Sequence, residues 1–307
     1  MINTDFNSIL ELLQAFPDEQ SCIDHLETLR WNGYIVSPFD PTSKVYKCKN
    51  NKYRCKNTGK YFNVRTQTLF DNTKVKLQKW FLAIWLVTSH KKGISSLQLH
   101  RDLNVTQKTA WFMLHRIRKC FGIENNNDLD NDVEVDETYV GGKNKNRHAN
   151  KKVKNSQGRS MKDKTAIVGM IERGGKLNAR KVDYVGVRTL TKEIMQNVKE
   201  TANISTDEWV GYNALAKMYS HSIVKHSQNE FVNGDTHTNT IEGFWSLLKR
   251  GIIGIYHFVS KKHLQNYVDE FVFRYNTRKH GEAGRINALL ANMTVRTTYD
   301  DLIGGVA

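Results

Sequence analysis

The order of elements after residue 131 constrains this chain most. Residues 132–140 alternate, with Val133 and Val135 set against Glu134 and Asp136, and the pattern stops at Gly141-Gly142, which predicts a strand. Residues 165–172 and 178–187 read as two further strands joined by a hairpin at Gly174-Gly175. A helix is expected over 191–201, a short strand over 203–207, and helices over 240–249 and 262–275. The last carries Leu264, Tyr267, Val268, Phe271 and Tyr275 on one stripe. Three strands, a helix, a strand and a helix is an α/β order with a mixed sheet.

What precedes this domain has a different pattern. Residues 18–30 read as a helix capped by Asp18, with Cys22, Ile23, Leu26 and Leu29 at helical spacing. Residues 44–70 alternate, are rich in Tyr, Val, Thr and Phe, and carry turn signals at Asn50-Asn51 and Thr58-Gly59, so short β-hairpins are expected. An apolar helix follows over 77–89, then a short one over 95–103, a turn at Asn104-Val105, and a third helix capped by Thr106 and running to about Cys120. Two helices joined by a tight turn make a helix-turn-helix. Trp111, Leu114, Ile117 and Arg118 are expected inward, and Gln107, Lys108, His115 and Arg116 are candidates to face DNA. Residues 124–132 are polar and aperiodic, which predicts a linker. The expected division is an N-terminal helical segment (1–33), a β module (34–73), a helix-turn-helix domain (74–123), a linker (124–131) and the α/β domain (132–303).

Charge follows this division. The chain has 46 Lys+Arg against 31 Asp+Glu, a net +15. Residues 44–121 hold eighteen bases and two acids, whereas residues 1–43 hold one base and seven acids. In the remainder, residues 143–164 hold nine bases and one acid, and read as a mobile basic loop in which Lys151, Lys152 and Lys154 are candidates to hold DNA. Two concentrated basic patches on a body of mixed charge point to nucleic acid, bound largely through phosphates. The four cysteines, Cys22, Cys48, Cys55 and Cys120, are too few and too scattered for a disulfide scaffold, so a reducing compartment is expected. The longest apolar run, 80–87, is far short of the ~20 residues of a membrane span. The first residues lack the pattern of a signal peptide. The expectation is a cytoplasmic, DNA-associated protein with no membrane partner.

Three acids stand out by position. Asp136 lies late on the first strand of the α/β domain, Asp207 at the end of the strand after its first helix, and Glu242 at the start of a later helix. If the two strands are neighbours, both aspartates share one edge of the sheet, and a helix across that edge brings in Glu242. Three hard oxygen donors on rigid elements suit Mg²⁺. A pair of such ions ~4 Å apart activates an attacking oxygen and stabilises a leaving one in phosphodiester cleavage. Glu137 and Glu208 compete as ligands but point to the opposite face from their neighbours, while Glu134 shares the face of Asp136 and is the stronger competitor. Lys249 follows Glu242 by seven residues, about 20° short of two turns, and on the same face it could hold a DNA phosphate.

Three stretches, Val133-Glu-Val-Asp-Glu-Thr-Tyr-Val-Gly-Gly142, Ser205-Thr-Asp-Glu-Trp209 and His237-Thr-Asn-Thr-Ile-Glu-Gly-Phe-Trp-Ser-Leu-Leu-Lys-Arg250, closely resemble bacterial insertion-sequence transposases of the DDE family related to the eukaryotic Merlin transposons. The resemblance extends through Gly254-Ile-Tyr-His257 and Arg274-Tyr-Asn-Thr-Arg278, and into the head at Tyr61-Phe-Asn-Val-Arg65, Lys79-Trp-Phe-Leu-Ala-Ile84 and Val105-Thr-Gln-Lys-Thr-Ala-Trp111. It implies an RNase H-like (retroviral integrase-type) core, with Asp136, Asp207 and Glu242 as the metal-binding triad for two Mg²⁺ (Mn²⁺ can substitute) and Lys249 as the basic residue after the glutamate. The activity implied is cleavage at terminal inverted repeats in double-stranded DNA and strand transfer to target DNA, by a homodimer or higher assembly. The alternatives are a catalytically silent DNA-binding protein and a nuclease that cuts without joining. One departure is clear. The zinc-ribbon knuckles usual in the head fall here on Ser37, Asp40, Cys55 and Thr58, with Cys48 out of register. A ribbon-shaped β module without structural zinc is therefore expected, held by Tyr46, Tyr53, Tyr61 and Phe62.

Overall fold

The computed structural model describes residues 6–141, 148–154, 160–225, 228, 232 and 236–304. The chain divides into two units, one formed by Met1–Phe121 with Thr277–Ala307 and the other by Gly122–Asn276.

In the first unit, helices α1 (Ile9–Ala15) and α2 (Glu19–Trp31) precede a three-stranded antiparallel sheet of β1 (Val45–Lys47), β2 (Tyr53–Cys55) and β3 (Tyr61–Phe62). Asp18 caps α2 as expected, its carboxylate accepting from the Ser21 N–H at 2.8 Å. The apolar helix α3 (Leu77–Ser89) buries Trp80, Phe81 and Ile84. After it, α4 (Ser96–Leu103) ends at Asn104 in the left-handed region (φ 47°), and α5 (Gln107–Lys119) begins under the Thr106 hydroxyl, which accepts from the Thr109 N–H. The two-helix turn expected from the sequence is therefore formed. Two more helices, α9 (Glu282–Ala291) and α10 (Tyr299–Ile303), complete this unit, α9 packing on α2 and α3.

That last point corrects the expected boundary at 303. The α/β unit stops at Asn276, and the segment from Thr277 returns to the first unit, where Asn287 meets His25 at 2.8 Å. The expected linker is corrected too. Asn125 is fully buried; its amide donates to the Ala179 carbonyl and accepts from the Ala179 N–H, each at 2.7 Å. Leu129 is fully buried and exchanges backbone bonds with Asn197 and Lys199. The polar stretch is stitched to its unit by its asparagines, whose side-chain amides mimic the backbone's donor and acceptor.

The second unit is built on a mixed sheet of order β6-β5-β4-β7-β8, with β4 (Asp132–Gly141), β5 (Lys164–Glu172), β6 (Leu177–Val182), β7 (Asn203–Asp207) and β8 (Ser220–Val224). The first three run antiparallel as hairpin neighbours, while β7 and β8 run parallel to β4. Alternation along β4 sets the layers. Val133 and Val135 enter a core shared with Leu190 and Ile194 of α6 (Val187–Asn197). On the other face, Ile167 and Ile171 pack with Ile241, Trp245 and Leu248 of α7 (Asn239–Gly251) and with Val268 and Val272 of α8 (Leu264–Asn276).

Candidate active site

Strand β4 lies at the centre of the sheet with β7 parallel beside it, the two paired from Asp132–Asn203 to Glu134–Ser205. Two residues beyond the last pair, on each strand, come Asp136 and Asp207. The structure thus brings these two aspartates together on neighbouring strands, Asp207 at the end of β7 and Asp136 midway along β4, whereas the sequence pattern places Asp136 late on its strand. Their proximity leaves an electrostatic trace. Burial pushes the Asp136 carboxyl up to about 7, and the nearby charges of Glu137 and Asp207 push in the same direction. Two groups pull it back: the Glu137 backbone N–H, and the Trp245 indole, whose Nε1–H donates to Asp136 Oδ2 at 3.0 Å. At the end of β7, Asp207 Oδ1 accepts from the Trp209 N–H at 3.1 Å, which orients its carboxylate.

Glu242 sits in the first turn of α7, exposed, its Oε1 accepting from the Thr238 hydroxyl at 3.0 Å. It shares its helix with Trp245, so the helix that carries Glu242 is tied to Asp136. The structure does not gather all three acids: among the described residues no group of three or more His, Cys, Asp or Glu side chains is arranged to hold a metal. Lys249 is exposed in the last turn of α7, ~10 Å along the axis from Glu242.

The competing glutamates have other partners. Glu134, two residues before Asp136 on the same face, is fully buried. Its carboxylate accepts from the backbone N–H groups of Thr240 and Ile241 at 2.9 and 3.1 Å and from the Thr240 hydroxyl at 2.8 Å, so it caps the N-terminus of α7. Arg173 Nε donates to it at 2.9 Å, and His237 Nδ1 lies 3.0 Å away. A buried carboxylate so fully partnered is a structural clamp rather than an open ligand. Glu137 lies on the opposite face, where the buried Tyr212 hydroxyl donates to it at 2.6 Å. Sequence reasoning noticed Glu134 as a rival to Asp136 but not as a cap, and it missed Trp245 and Arg173. The available signal was the Glu134-x-Asp136 alternation, which puts two carboxylates on a face that only one of them could use for metal.

The donor chemistry of Asp136 and Asp207 suits a divalent cation: hard oxygens side by side, one of them with its carboxyl raised to about 7 by burial and neighbouring negative charge. The ribbon does not suit zinc. Hydroxyls of Ser37, Ser43 and Thr58 surround the buried Cys55 thiol; burial works to raise its pKa, but these hydrogen bonds bring it down to about 6. One thiol among hydroxyls lacks the four N or S donors of a structural site. Asp40 is engaged by Thr42 and Asn57, and the Cys48 thiol lies 3.7 Å from the Tyr46 carbonyl. Of the four aromatics expected to hold the ribbon, Tyr53 and Phe62 are buried, but Tyr46 and Tyr61 are on the other side of the strands and 43% and 59% exposed.

Among the DNA-facing candidates, Gln107 and Lys108 are exposed at the start of α5, Gln107 donating to the Ser96 hydroxyl and Lys108 lying over the Tyr299 ring. His115 and Arg116 are corrected: both are buried, at 1% and 5% exposure. Arg116 donates to the carbonyls of Thr297 and Asp71, so the C-terminal segment covers the face that the sequence assigned to DNA. Lys151, Lys152 and Lys154 are exposed. Residues 143–147 and 155–159 of the expected basic loop lie outside the described residues.

Residues 128–276 match the family model of the ISXO2-like transposase domain. An uncharacterized protein in transposable element ISH50 of Halobacterium salinarum is 27% identical over 278 residues, which cover 85% of this chain and 92% of that one. Two solved structures, a pre-cleavage Mos1 transpososome and the Mos1 strand transfer complex, each align over 71% of this chain and 80% and 79% of theirs, at 12% identity and TM-scores of 0.26 and 0.27, too low to establish a common fold.

Proposed function

From its likeness to insertion-sequence transposases, we propose that this chain is the transposase of an insertion sequence, cutting DNA at the element's terminal inverted repeats and joining the freed ends to target DNA. The observation that carries the reading is the proximity of Asp136 and Asp207 on adjacent parallel strands, beside a helix that bears Glu242 and is tied to Asp136. An RNase H-like core is supported by the five-stranded mixed sheet, with its first three strands in an antiparallel meander and two more added in parallel on the other side.

Asp136, Asp207 and Glu242 are the residues that would hold Mg²⁺, with Mn²⁺ as a substitute. When bound, such ions activate the attacking oxygen and stabilise the leaving one in phosphodiester cleavage and transesterification. The chain's own contribution is orientation. Trp245 fixes one oxygen of Asp136, the Trp209 N–H fixes one of Asp207, and Glu134 anchors the first turn of α7 on which Glu242 stands. Lys249 would hold a phosphate next to the site. Gln107 and Lys108 would contact the terminal repeats, and Lys151, Lys152 and Lys154 flanking or target DNA. Joining two ends calls for two active sites, hence a dimer or higher assembly on double-stranded DNA. No helix among the described residues is long and apolar enough to cross a membrane.

The test incubates purified protein with Mg²⁺, labelled element ends and a target plasmid. Cleaved ends and joined product, both abolished by Asp136→Asn, are expected. Binding without cleavage would instead identify a silent DNA-binding protein, and cleavage without joining a nuclease. Activity that survives Asp136→Asn would remove the assignment of the site.

A further inference from the structure

The outer face of the β1–β2–β3 sheet carries a row of side chains that the reading above leaves unused. The antiparallel registers set Tyr46 opposite Arg54 and Arg54 opposite Tyr61, so the three stand in line across the sheet. Alternation sends Tyr53, Cys55 and Phe62 to the buried face and leaves these three exposed. With neighbouring strands ~4.8 Å apart, the two phenol rings are ~10 Å apart with a guanidinium between them. Lys44 Nζ lies 5.6 Å from the Tyr46 ring centre and Arg54 Cζ 5.9 Å from that of Tyr61, so the row is cationic as well as aromatic. Residues 44–61 contain six lysines and Arg54, all exposed, and no Asp or Glu.

Exposed rings with Lys44 and Arg54 against them need a partner that offers flat π-faces and negative charge together. A nucleic acid does both, but a duplex stacks its bases on one another and shows a protein only their edges and its phosphates. Unpaired bases have free faces. We propose that this face is a binding site for single-stranded DNA, with bases stacking on Tyr46 and Tyr61 while Arg54 and the flanking lysines hold phosphates. The inference rests on the transposase reading for its source of unpaired strand, the DNA ends opened by cleavage, and it adds a second kind of DNA contact to a head otherwise credited with duplex alone.

The experiment measures binding of the full chain to labelled oligo-dT and to a duplex of equal length. The Tyr46→Ala, Tyr61→Ala double variant is expected to bind oligo-dT on the order of 30-fold more weakly, with duplex affinity changed by less than about threefold. The corresponding Phe pair is expected to bind oligo-dT like the wild type, because the ring and not the hydroxyl makes the contact. Unchanged oligo-dT affinity in the Ala pair, equal losses on both DNAs, or a Phe pair as weak as the Ala pair would each overturn the proposal, as would clear preference for a single-stranded RNA of the same length. A measurement on the unaltered protein guards against misfolding of the variants: photocrosslinking to iododeoxyuridine strands is expected to give adducts on Tyr46 or Tyr61, and adducts solely elsewhere would overturn it. The cleavage assay separates the two readings. A protein that cuts element ends but shows no ring-dependent binding loses this inference and keeps its function; ring-dependent binding without cleavage does the reverse.

Discussion

Gly169 and Trp245 share one volume. A Cβ added to Gly169 would lie 2.6 Å from Cη2 and Cζ2 of the Trp245 ring and 2.9 Å from Ile241 Cδ1. Gly169 is also the residue directly opposite Asp136 in the β4–β5 ladder. The absent side chain is therefore what lets the indole lie across the sheet and reach the Asp136 carboxyl. Gly169→Ala is expected to cost about 1–3 kcal/mol by overpacking and to break the Trp245–Asp136 hydrogen bond. Thermal denaturation reads the first effect and cleavage of labelled element ends the second. Trp245→Phe, which keeps an aromatic ring but loses the donor and some volume, should reduce cleavage by removing the hydrogen bond to Asp136.

The clamp at Glu134 makes a separate prediction. Its carboxylate is fully buried and partnered by two N–H groups of α7, the Thr240 hydroxyl and Arg173. Glu134→Ala leaves the first turn of α7 uncapped and the Arg173 guanidinium without its carboxylate, at a cost of roughly 3–5 kcal/mol. Urea denaturation should show the loss, and hydrogen exchange should show it concentrated at the amides of Thr240 and Ile241. Unchanged protection at those two amides would contradict the cap.

Asp136 makes stability depend on pH in the direction opposite to most carboxylates. Its ordinary value is near 3.8, and in the fold burial and neighbouring charges raise it to about 7. The folded state thus holds a proton that the unfolded state has released, so the contribution is complete below about pH 4 and is lost as pH rises towards 7. The metal-free protein should show this decline in its unfolding midpoint, and Asp136→Asn should remove it. Because cation binding requires the deprotonated form, Mg²⁺ affinity should increase over the same interval.

On helix α5, exposure separates two classes of variant. Lys108→Ala is expected to leave the melting temperature within about 1 °C and to weaken duplex binding, reducing the salt slope of log K by about one. Arg116→Ala is expected to destabilise the first unit, because the carbonyls of Thr297 and Asp71 lose a buried donor, each worth about 1–3 kcal/mol. Denaturation curves and salt-dependent binding isotherms on both variants check this division.

Much of the frame was legible in the chain because its signals are local. The alternation of Val133 and Val135 against Glu134 and Asp136 marked β4, and Thr106 marked the start of α5. The errors concern partners distant in sequence. Arg116 reads as a DNA contact on a basic helix until a segment 181 residues away covers it. Ala283, Ile286, Leu289 and Leu290 form a helical stripe, but nothing in their spacing says which unit receives it. Glu134 and Asp136 are equivalent on a strand, and only the arrival of α7, more than a hundred residues later, distinguishes a cap from a site acid. The asparagines at 125–127 read as a linker by composition because a side-chain amide that replaces a strand neighbour has no periodic signature.

The division of the chain at Phe121 and again at Thr277 has a consequence for synthesis. A ribosome delivers helices α2 to α5 early but withholds the residues that close on them, Asn287 for His25 and Thr297 for Arg116, until the whole α/β unit has been made. A product of premature termination inside that unit therefore carries a head with an open flank.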